Sequence, residues 1–356
     1  MIKVLIVDDS HTTMEYLKYL LDSDDEIMIV GIAQNGKQAI ELSKKKQPDV
    51  ILMDINMPKM NGFEATRIIM ENNPVPIIIM SSIHDIKDTA VVFRAMEAGA
   101  VTLLNKPWGM DHPDYKRDSE DLLQNIKLMS EVKVIKRSKS IREPARMPET
   151  RPPVARPVVK PVAKQIAKSG RISVIAIGAS AGGPLVLQEI LLKIPKNFPV
   201  PILIVQHISS GFIDGLIKWL GQTTECTIQL AAHGEILLPG HVYFAPDDYH
   251  MGVNNSNQII LSKAEPENSS RPAISFLFRS MAKVYGAEAS GVLLTGMGKD
   301  GADELKLMRD KGAVTIAQDK KSSLVHGMAG EAIKLDAVMY ELSPESISDK
   351  LISIVQ

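Results

Sequence analysis

The chain has 356 residues, enough for two domains of ordinary size, and 45% of them are hydrophobic, so each domain can bury a core. A single cysteine, Cys226, excludes an intramolecular disulfide framework and a cysteine-rich zinc site, and no apolar run of about 18 residues exists to cross a membrane. The net charge of −1 hides an asymmetry: 15 basic against 21 acidic residues over 1–135, 10 against 2 over 136–170, and 16 against 19 over 171–356. The opening MIKVLIVDDS places acids directly after a short apolar run, a strand pattern rather than a signal peptide. A cytoplasmic location is expected, and Cys226 is expected to be a core residue.

In the first region, apolar runs at 3–7, 27–33, 50–53, 77–80 and 101–104 read as strands. Between them, Met14-Leu17-Leu21 and Phe93-Met96 show the three- and four-residue spacing of amphipathic helices, and Gly99 supplies a helix stop. Five strands, each followed by a helix, predict a doubly wound α/β domain with a parallel sheet. Asp8 and Asp9 end the first strand, Asp54 the third, Ser81 the fourth and Lys106 the fifth. Strand ends in a parallel sheet share one edge, where open α/β folds place their sites. Three carboxylates crowded there repel one another, and a hard divalent cation such as Mg²⁺ relieves the repulsion. With a hydroxyl and an ammonium alongside, the set describes a phosphoryl-accepting pocket. Strand-end aspartates also start helices; that accounts for any one of them, but not for five polar residues on five-strand spacing.

The segments VDDS, MDINMPKMNG, MSS and NKP resemble the receiver domain of two-component response regulators over about residues 1–125. The resemblance implies that Asp54 accepts the phosphoryl group from a histidine kinase. It implies Asp8, Asp9, Asp54 and the Asn56 backbone as Mg²⁺ ligands, and Ser81 and Lys106 as switch residues. It also implies a cis Lys106–Pro107 bond, an isomer tolerated chiefly before proline.

Residues 136–170 carry prolines at 144, 148, 152, 153, 157 and 161 and no aromatic residue. Such a segment is expected to be an extended, mobile, basic linker. A solvated linker is favoured over a nucleic-acid contact, because nothing is present to stack on bases.

In 171–356, strand patterns fall at 172–177, 201–206, 227–231, 241–245, 258–261, 291–295, 314–318 and 337–341. Helical patterns fall at 184–194, 212–220, 273–285, 300–311 and 344–355. These predict a second, mainly parallel α/β sheet. The stretch 227–263 shows no clear helix and is expected to form an antiparallel edge or hairpins.

The stretch IGASAGGP, residues 177–184, reads either as a phosphate-holding glycine turn or as an elbow presenting Ser180. A dinucleotide site wants a glycine where Ser180 stands and an acid closing the next strand, which instead ends in His207; a P-loop wants a lysine where Pro184 stands. Asp300 follows a third strand. Alone, Asp300 reads equally as a helix cap and His207 as a satisfied buried imidazole. Together, a serine, a histidine and an aspartate after three strands of one sheet suit nucleophilic catalysis, with glycine-turn N–H groups available to an oxyanion. His326 is the main rival for the base. The order Ser, His, Asp departs from the Ser, acid, His order of α/β-hydrolases.

IGASAGGP, IVQHISSGF, LPGHVYFAPDDYHM, RPAISFLFRSMA, LLTGMGKDGA and AQDKKSSLVHGM resemble the catalytic domain of the CheB family of chemotaxis protein-glutamate methylesterases. The receiver, linker, esterase order of that family suggests domains at 1–135 and 171–356 around the linker at 136–170. The resemblance implies Ser180 as nucleophile, His207 as base, Asp300 as orienting acid and the Met297 N–H as an oxyanion donor. The implied substrate is methylated glutamate on the cytoplasmic helices of chemoreceptors, with glutamine deamidation as a second activity; ester hydrolysis needs no cofactor, nucleic acid or membrane insertion. Ala181, Ser275, Lys299 and Ala329 stand where the family commonly has Thr, Asp, Asn and Pro. The competing reading is a response regulator whose second domain is a non-catalytic receptor- or partner-binding module.

Overall fold

The computed structural model describes residues 1–81, 96–107, 109, 111–112, 115–132, 134 and 172–356. The linker at 136–170 and the start of the expected Phe93–Met96 helix lie outside the described residues; residues 96–98 are helical and Gly99 ends them at φ 119°.

In the N-terminal region β1 (Ile2–Val7), β2 (Ile27–Ala33), β3 (Val50–Asp54), β4 (Ile77–Ser81) and β5 (Thr102–Asn105) form a parallel sheet in the order β2-β1-β3-β4-β5. Every residue of β3 and β4 is buried. That explains their unbroken apolar runs: a strand covered on both faces has no polar side to alternate with. Helices α1 (His11–Leu21), α2 (Gly36–Lys46), α3 (Gly62–Asn72) and α4 (Tyr115–Ser130) cover the faces. The first three start on side-chain caps: Ser10 accepts the Thr13 N–H, Asn35 the Gln38 N–H and Asn61 the Glu64 N–H. Gly62 has to be glycine, because a Cβ there would sit 1.9 Å from the Asp54 carbonyl oxygen.

The second region holds β6 (Val174–Ala179), β7 (Ile202–Gln206), β8 (Thr227–Leu230), β9 (His241–Phe244), β10 (His250–Val253), β11 (Ile259–Ser262), β12 (Ala289–Leu293), β13 (Val314–Gln318) and β14 (Tyr340–Leu342). Seven of these form one parallel sheet, β14-β13-β12-β6-β7-β9-β8. Its helices are α5 (Gly183–Leu191), α6 (Ile213–Thr223), α7 (Ile274–Val284), α8 (Ala302–Asp310), α9 (Met328–Lys334) and α10 (Pro344–Val355). One core, with Phe198, Trp219, Ile347 and Leu351, lies on one face of the sheet. A second, with Tyr243, Phe278, Met281 and Met308, lies on the other. From β6 the chain builds outward through β7 and β9, then returns to the opposite side of β6 for β12. The carboxyl end of β6 is therefore the topological switch point, where open sheets bind ligands.

Three expectations need correction. Within 227–263, β10 and β11 form the expected antiparallel hairpin, as a separate two-stranded sheet, but β8 and β9 pair parallel with each other and extend the main sheet. A parallel return without a helix gives no 3.6-residue period to read, so the connection looked like a hairpin. The helix expected from residue 300 begins at Ala302. The Lys106–Pro107 bond is not cis, whereas Arg271–Pro272 is; the two X–Pro isomers differ by only about 0.5–1 kcal/mol, so sequence alone does not decide between them. Strand β10 was not anticipated: it contains Gly252 and is short.

Candidate active site

Ser180 leaves the buried end of β6, and backbone hydrogen bonds tie that end to its neighbours. The Ser180 N–H donates to the Thr295 carbonyl (3.0 Å), and the His207 N–H donates to the Ala179 carbonyl (2.8 Å). The chain then turns sharply: Gly182 takes φ 77°, the Gly183 N–H returns to the Ser180 carbonyl (2.8 Å), and α5 begins with Pro184 in its first turn. Gly296 closes in from the β12 side; a Cβ there would sit 2.5 Å from the Ser180 Cβ. Ser180 is thus held by the ends of β6, β7 and β12. The N–H groups of Ala181, Gly182 and Met297 make no hydrogen bond among the described residues, which leaves them available as oxyanion donors. Met297 is the donor that the family resemblance implied, and Ala181 and Gly182 lie in the glycine turn expected to offer others.

His207 follows β7, and its Nε2 lies 3.0 Å from Asp300 Oδ2. The ring N–H is not aimed along that line, so the pair is close without an aligned hydrogen bond. Ser180 Oγ makes no hydrogen bond to His207 in this state. Asp300 is 3% exposed. Its carboxylate caps α7 rather than its own helix: Oδ2 accepts the Ile274 N–H (2.7 Å), and Oδ1 accepts the Ser275 N–H (3.1 Å) and Asn268 Nδ2 (2.9 Å). Burial alone would raise the Asp300 carboxyl; His207, Ser275 and the Ile274 N–H outweigh it and hold it near about 2. His326, whose backbone pairs with Gly296, has Nδ1 on Ser323 Oγ at 3.3 Å, and burial pushes its imidazole below the ordinary value.

Two residues around the site, Asn268 and Gln206, escaped the sequence reading. Asn268, at φ 50°, bonds both Asp300 and Ser275 Oγ, and Ser275 Oγ in turn accepts the Gly301 N–H. Gln206, the last residue of β7, bonds the backbone on either side of the site. Ser275 was noted only as a departure from the family; its hydroxyl here fills a buried bonding position. Amides in a polar loop or at a strand end carry no periodic signal, and only the fold shows what they reach. Cys226 is buried as expected, and burial pushes its thiol up to about 11, far from a reactive thiolate.

At the carboxyl edge of the N-terminal sheet, carboxylate oxygens of Asp8, Asp9 and Asp54 lie within 4.8 Å of one another. Lys106 Nζ reaches Asp8 (2.7 Å) and Asp54 (3.0 Å). Burial pushes the Asp54 carboxyl up to about 6, with Lys106 opposing and Asp8 and Asp9 adding to the rise. Burial alone would lower the Lys106 ammonium; Asp54 and Asp8 outweigh it and hold it above its ordinary value. An all-oxygen donor set with two buried acids fits a hard divalent cation. Ser81 is buried at the end of β4, on the same edge, and Asn56 is exposed in the loop after β3.

The two regions meet beside Ser180. Ala181, Leu324 and Val325 pack against the core that contains Leu122, Ile126 and Met129 of α4. Phe212, fully buried, belongs to the core that contains Ala100 and Leu103. Asn105 Nδ2 donates to the Ser210 carbonyl (2.9 Å), and Trp219 Nε1 donates to Glu97 (3.2 Å). Asn105 directly precedes Lys106, and Ser210 lies three residues after His207.

Residues 175–351 match the CheB methylesterase family, and residues 4–113 match the response regulator receiver domain. A protein-glutamate methylesterase/protein-glutamine glutaminase of Nitrosospira multiformis is 47% identical over 355 residues, covering 100% of this chain and 97% of that protein. A protein of the same name from Syntrophus aciditrophicus is 49% identical over 356 residues, covering 99% of this chain and 98% of that one. The crystal structure of the Thermotoga maritima CheB methylesterase catalytic domain is 38% identical with a TM-score of 0.51, covering 52% of this chain and 99% of that domain. With likeness at this level running through both regions, the chain belongs to the CheB methylesterase family, with a response regulator receiver domain at its N-terminus.

Proposed function

We propose that this chain is a protein-glutamate methylesterase controlled by phosphorylation, with glutamine deamidation as its second activity. The observation that carries the proposal is the placement of Ser180, His207 and Asp300 in the turns that follow three adjacent strands of one sheet, in a chain that also holds the Asp8–Asp54–Lys106 pocket. The relatives' names support a catalyst over a non-catalytic binding module. The substrate is a glutamate methyl ester on the cytoplasmic helices of a chemoreceptor, and the site of action is the cytoplasm. No described helix is long and apolar enough to cross a membrane.

Ser180 Oγ attacks the ester carbonyl carbon and His207 takes its proton. Asp300 orients the ring and stabilises the imidazolium. N–H groups of Met297 and Ala181 receive the oxyanion. The imidazolium returns its proton to the departing oxygen, methanol leaves, and an acyl ester remains on Ser180. Water, deprotonated by His207, then releases glutamate. A glutamine substrate takes the same course with ammonia as the leaving group.

In the receiver, Asp8, Asp9, Asp54 and the Asn56 backbone would hold Mg²⁺, which supplies charge neutralisation for phosphoryl transfer from a histidine kinase to Asp54. Lys106 and Ser81 read the phosphoryl group. The packing of Ala181, Leu324 and Val325 under α4 supports a resting state in which the receiver covers the Ser180 edge. Phosphorylation shifts that interface and uncovers the site. The division into 1–135, 136–170 and 171–356 belongs to this reading, with the two separate sheets in support.

Labelling with a serine-reactive fluorophosphonate tests the assignment. Modification mapped to Ser180, and absent in His207→Ala, is expected; equal labelling of other serines removes it.

A further inference from the structure

Gln206 is 4% exposed and has no part in the chemistry above, yet its side chain touches the backbone of both reacting residues. Nε2 donates to the Ser180 carbonyl at 2.9 Å and to the His207 carbonyl at 2.7 Å. Both amide hydrogens are thereby used on the two residues that exchange a proton in the proposed reaction. The other end of the amide is equally confined. Oε1 is buried without a partner, and a Cβ on Gly183 would stand 2.2 Å from it. Two carbonyl acceptors on one side and the bare Gly183 backbone on the other leave the amide a single orientation. The Ser180 carbonyl also accepts the Gly183 N–H, so the turn that presents Ser180 is closed by two donors.

We infer that Gln206 is a positioning residue: its amide fixes the backbone of Ser180 relative to that of His207, and so sets the reach between Oγ and the imidazole. The inference rests on the esterase reading. It explains why a polar amide ends an otherwise apolar buried strand, ILIVQ, where a side chain with an unsatisfied oxygen is a cost.

The test uses the full-length protein, a methylated receptor preparation and an alkyl fluorophosphonate. Wild-type methanol release and Ser180 labelling come first; their absence defeats the esterase reading and is distinct from any failure of the Gln206 variants. Gln206→Met keeps the volume and removes both donors. Two neutral hydrogen bonds at about 0.5–1.5 kcal/mol each correspond to a loss of roughly fivefold to 150-fold. That loss is expected in kcat and in the labelling rate, with KM within about twofold of wild type. A kcat within threefold of wild type overturns the inference, as does a loss confined to KM. Gln206→Glu keeps the size and makes the donor titratable. When protonated, the introduced carboxyl donates to one carbonyl; when ionised, it opposes both. Its activity relative to wild type is expected to fall reversibly as pH rises through that titration. A pH profile that parallels wild type overturns the inference even if the methionine variant fails to fold.

Discussion

Asp300→Asn replaces one carboxylate oxygen with an NH₂ group, and the structure says what that does. Three donors bond the carboxylate, the Ile274 N–H on Oδ2 and the Ser275 N–H and Asn268 on Oδ1, and His207 Nε2 stands 3.0 Å from Oδ2. Whichever way the new amide turns, one side of it keeps an acceptor for its donors and the other side faces them with another donor. Leaving a buried donor without its acceptor costs about 1–3 kcal/mol, so the urea midpoint of this region should fall below wild type. The rate effect is separate. An amide NH₂ toward His207 favours the tautomer with its proton on the wrong nitrogen, and such a change in a catalytic triad costs on the order of 10⁴ in kcat. Titration supplies an independent check. The folded carboxyl lies near about 2, depressed from 3.8, a difference of about 2 kcal/mol. A depressed acid stabilises fully above its unfolded value and loses that contribution as pH falls through the folded one. The stability gap between wild type and Asp300→Asn should therefore narrow from about pH 4 toward pH 2. Methanol release and urea unfolding read the two effects. A kcat within tenfold of wild type, or a gap that stays constant to pH 2, refutes the reasoning.

Asp54 titrates in the opposite sense. Its folded value is raised to about 6, so its burden on stability is absent below 3.8, grows as pH rises and is complete above about 6. Mg²⁺ should raise the receiver's thermal midpoint at pH 7 in wild type and not in Asp54→Ala, as read by calorimetry; equal shifts would show the ion binding elsewhere. Asn105→Ala removes the 2.9 Å bond to the Ser210 carbonyl and should raise basal methanol release about threefold to tenfold without phosphorylation; unchanged basal activity would mean the bond does not restrain the site. Gly296→Ala forces a methyl group 2.5 Å from the Ser180 Cβ and 2.3 Å from Met328 Cε, and should abolish fluorophosphonate labelling in folded protein; wild-type labelling would contradict the packing described around Ser180.

Much of the fold was legible because its strands are unusually plain. The runs 27–33 and 314–318 match their strands to the residue. A parallel sheet covered on both faces writes itself as apolar blocks, and helices between the blocks announce the crossovers. Ser180, His207 and Asp300 were legible for the same reason: each comes just after such a block, so parallel topology alone places them on one edge. The relations between elements were not legible. Nothing near Asp300 in sequence tells that its carboxylate caps α7 about 26 residues upstream, because a cap is read from its own helix. Gln206 and Asn268 act through backbone groups brought close only by the finished sheet. The contact of Asn105 with Ser210 spans two separate sheets, and no local pattern encodes it.

One chain here joins a receiver domain to a methylesterase domain. The most direct test of that union is methanol release from methylated receptor by the full-length protein, with and without a small-molecule phosphodonor. The phosphodonor is expected to accelerate release, Asp54→Ala to remove the acceleration, and Ser180→Ala to abolish release in both conditions. Equal rates with and without the phosphodonor would contradict the switch, and release by Ser180→Ala at the wild-type rate would contradict the esterase.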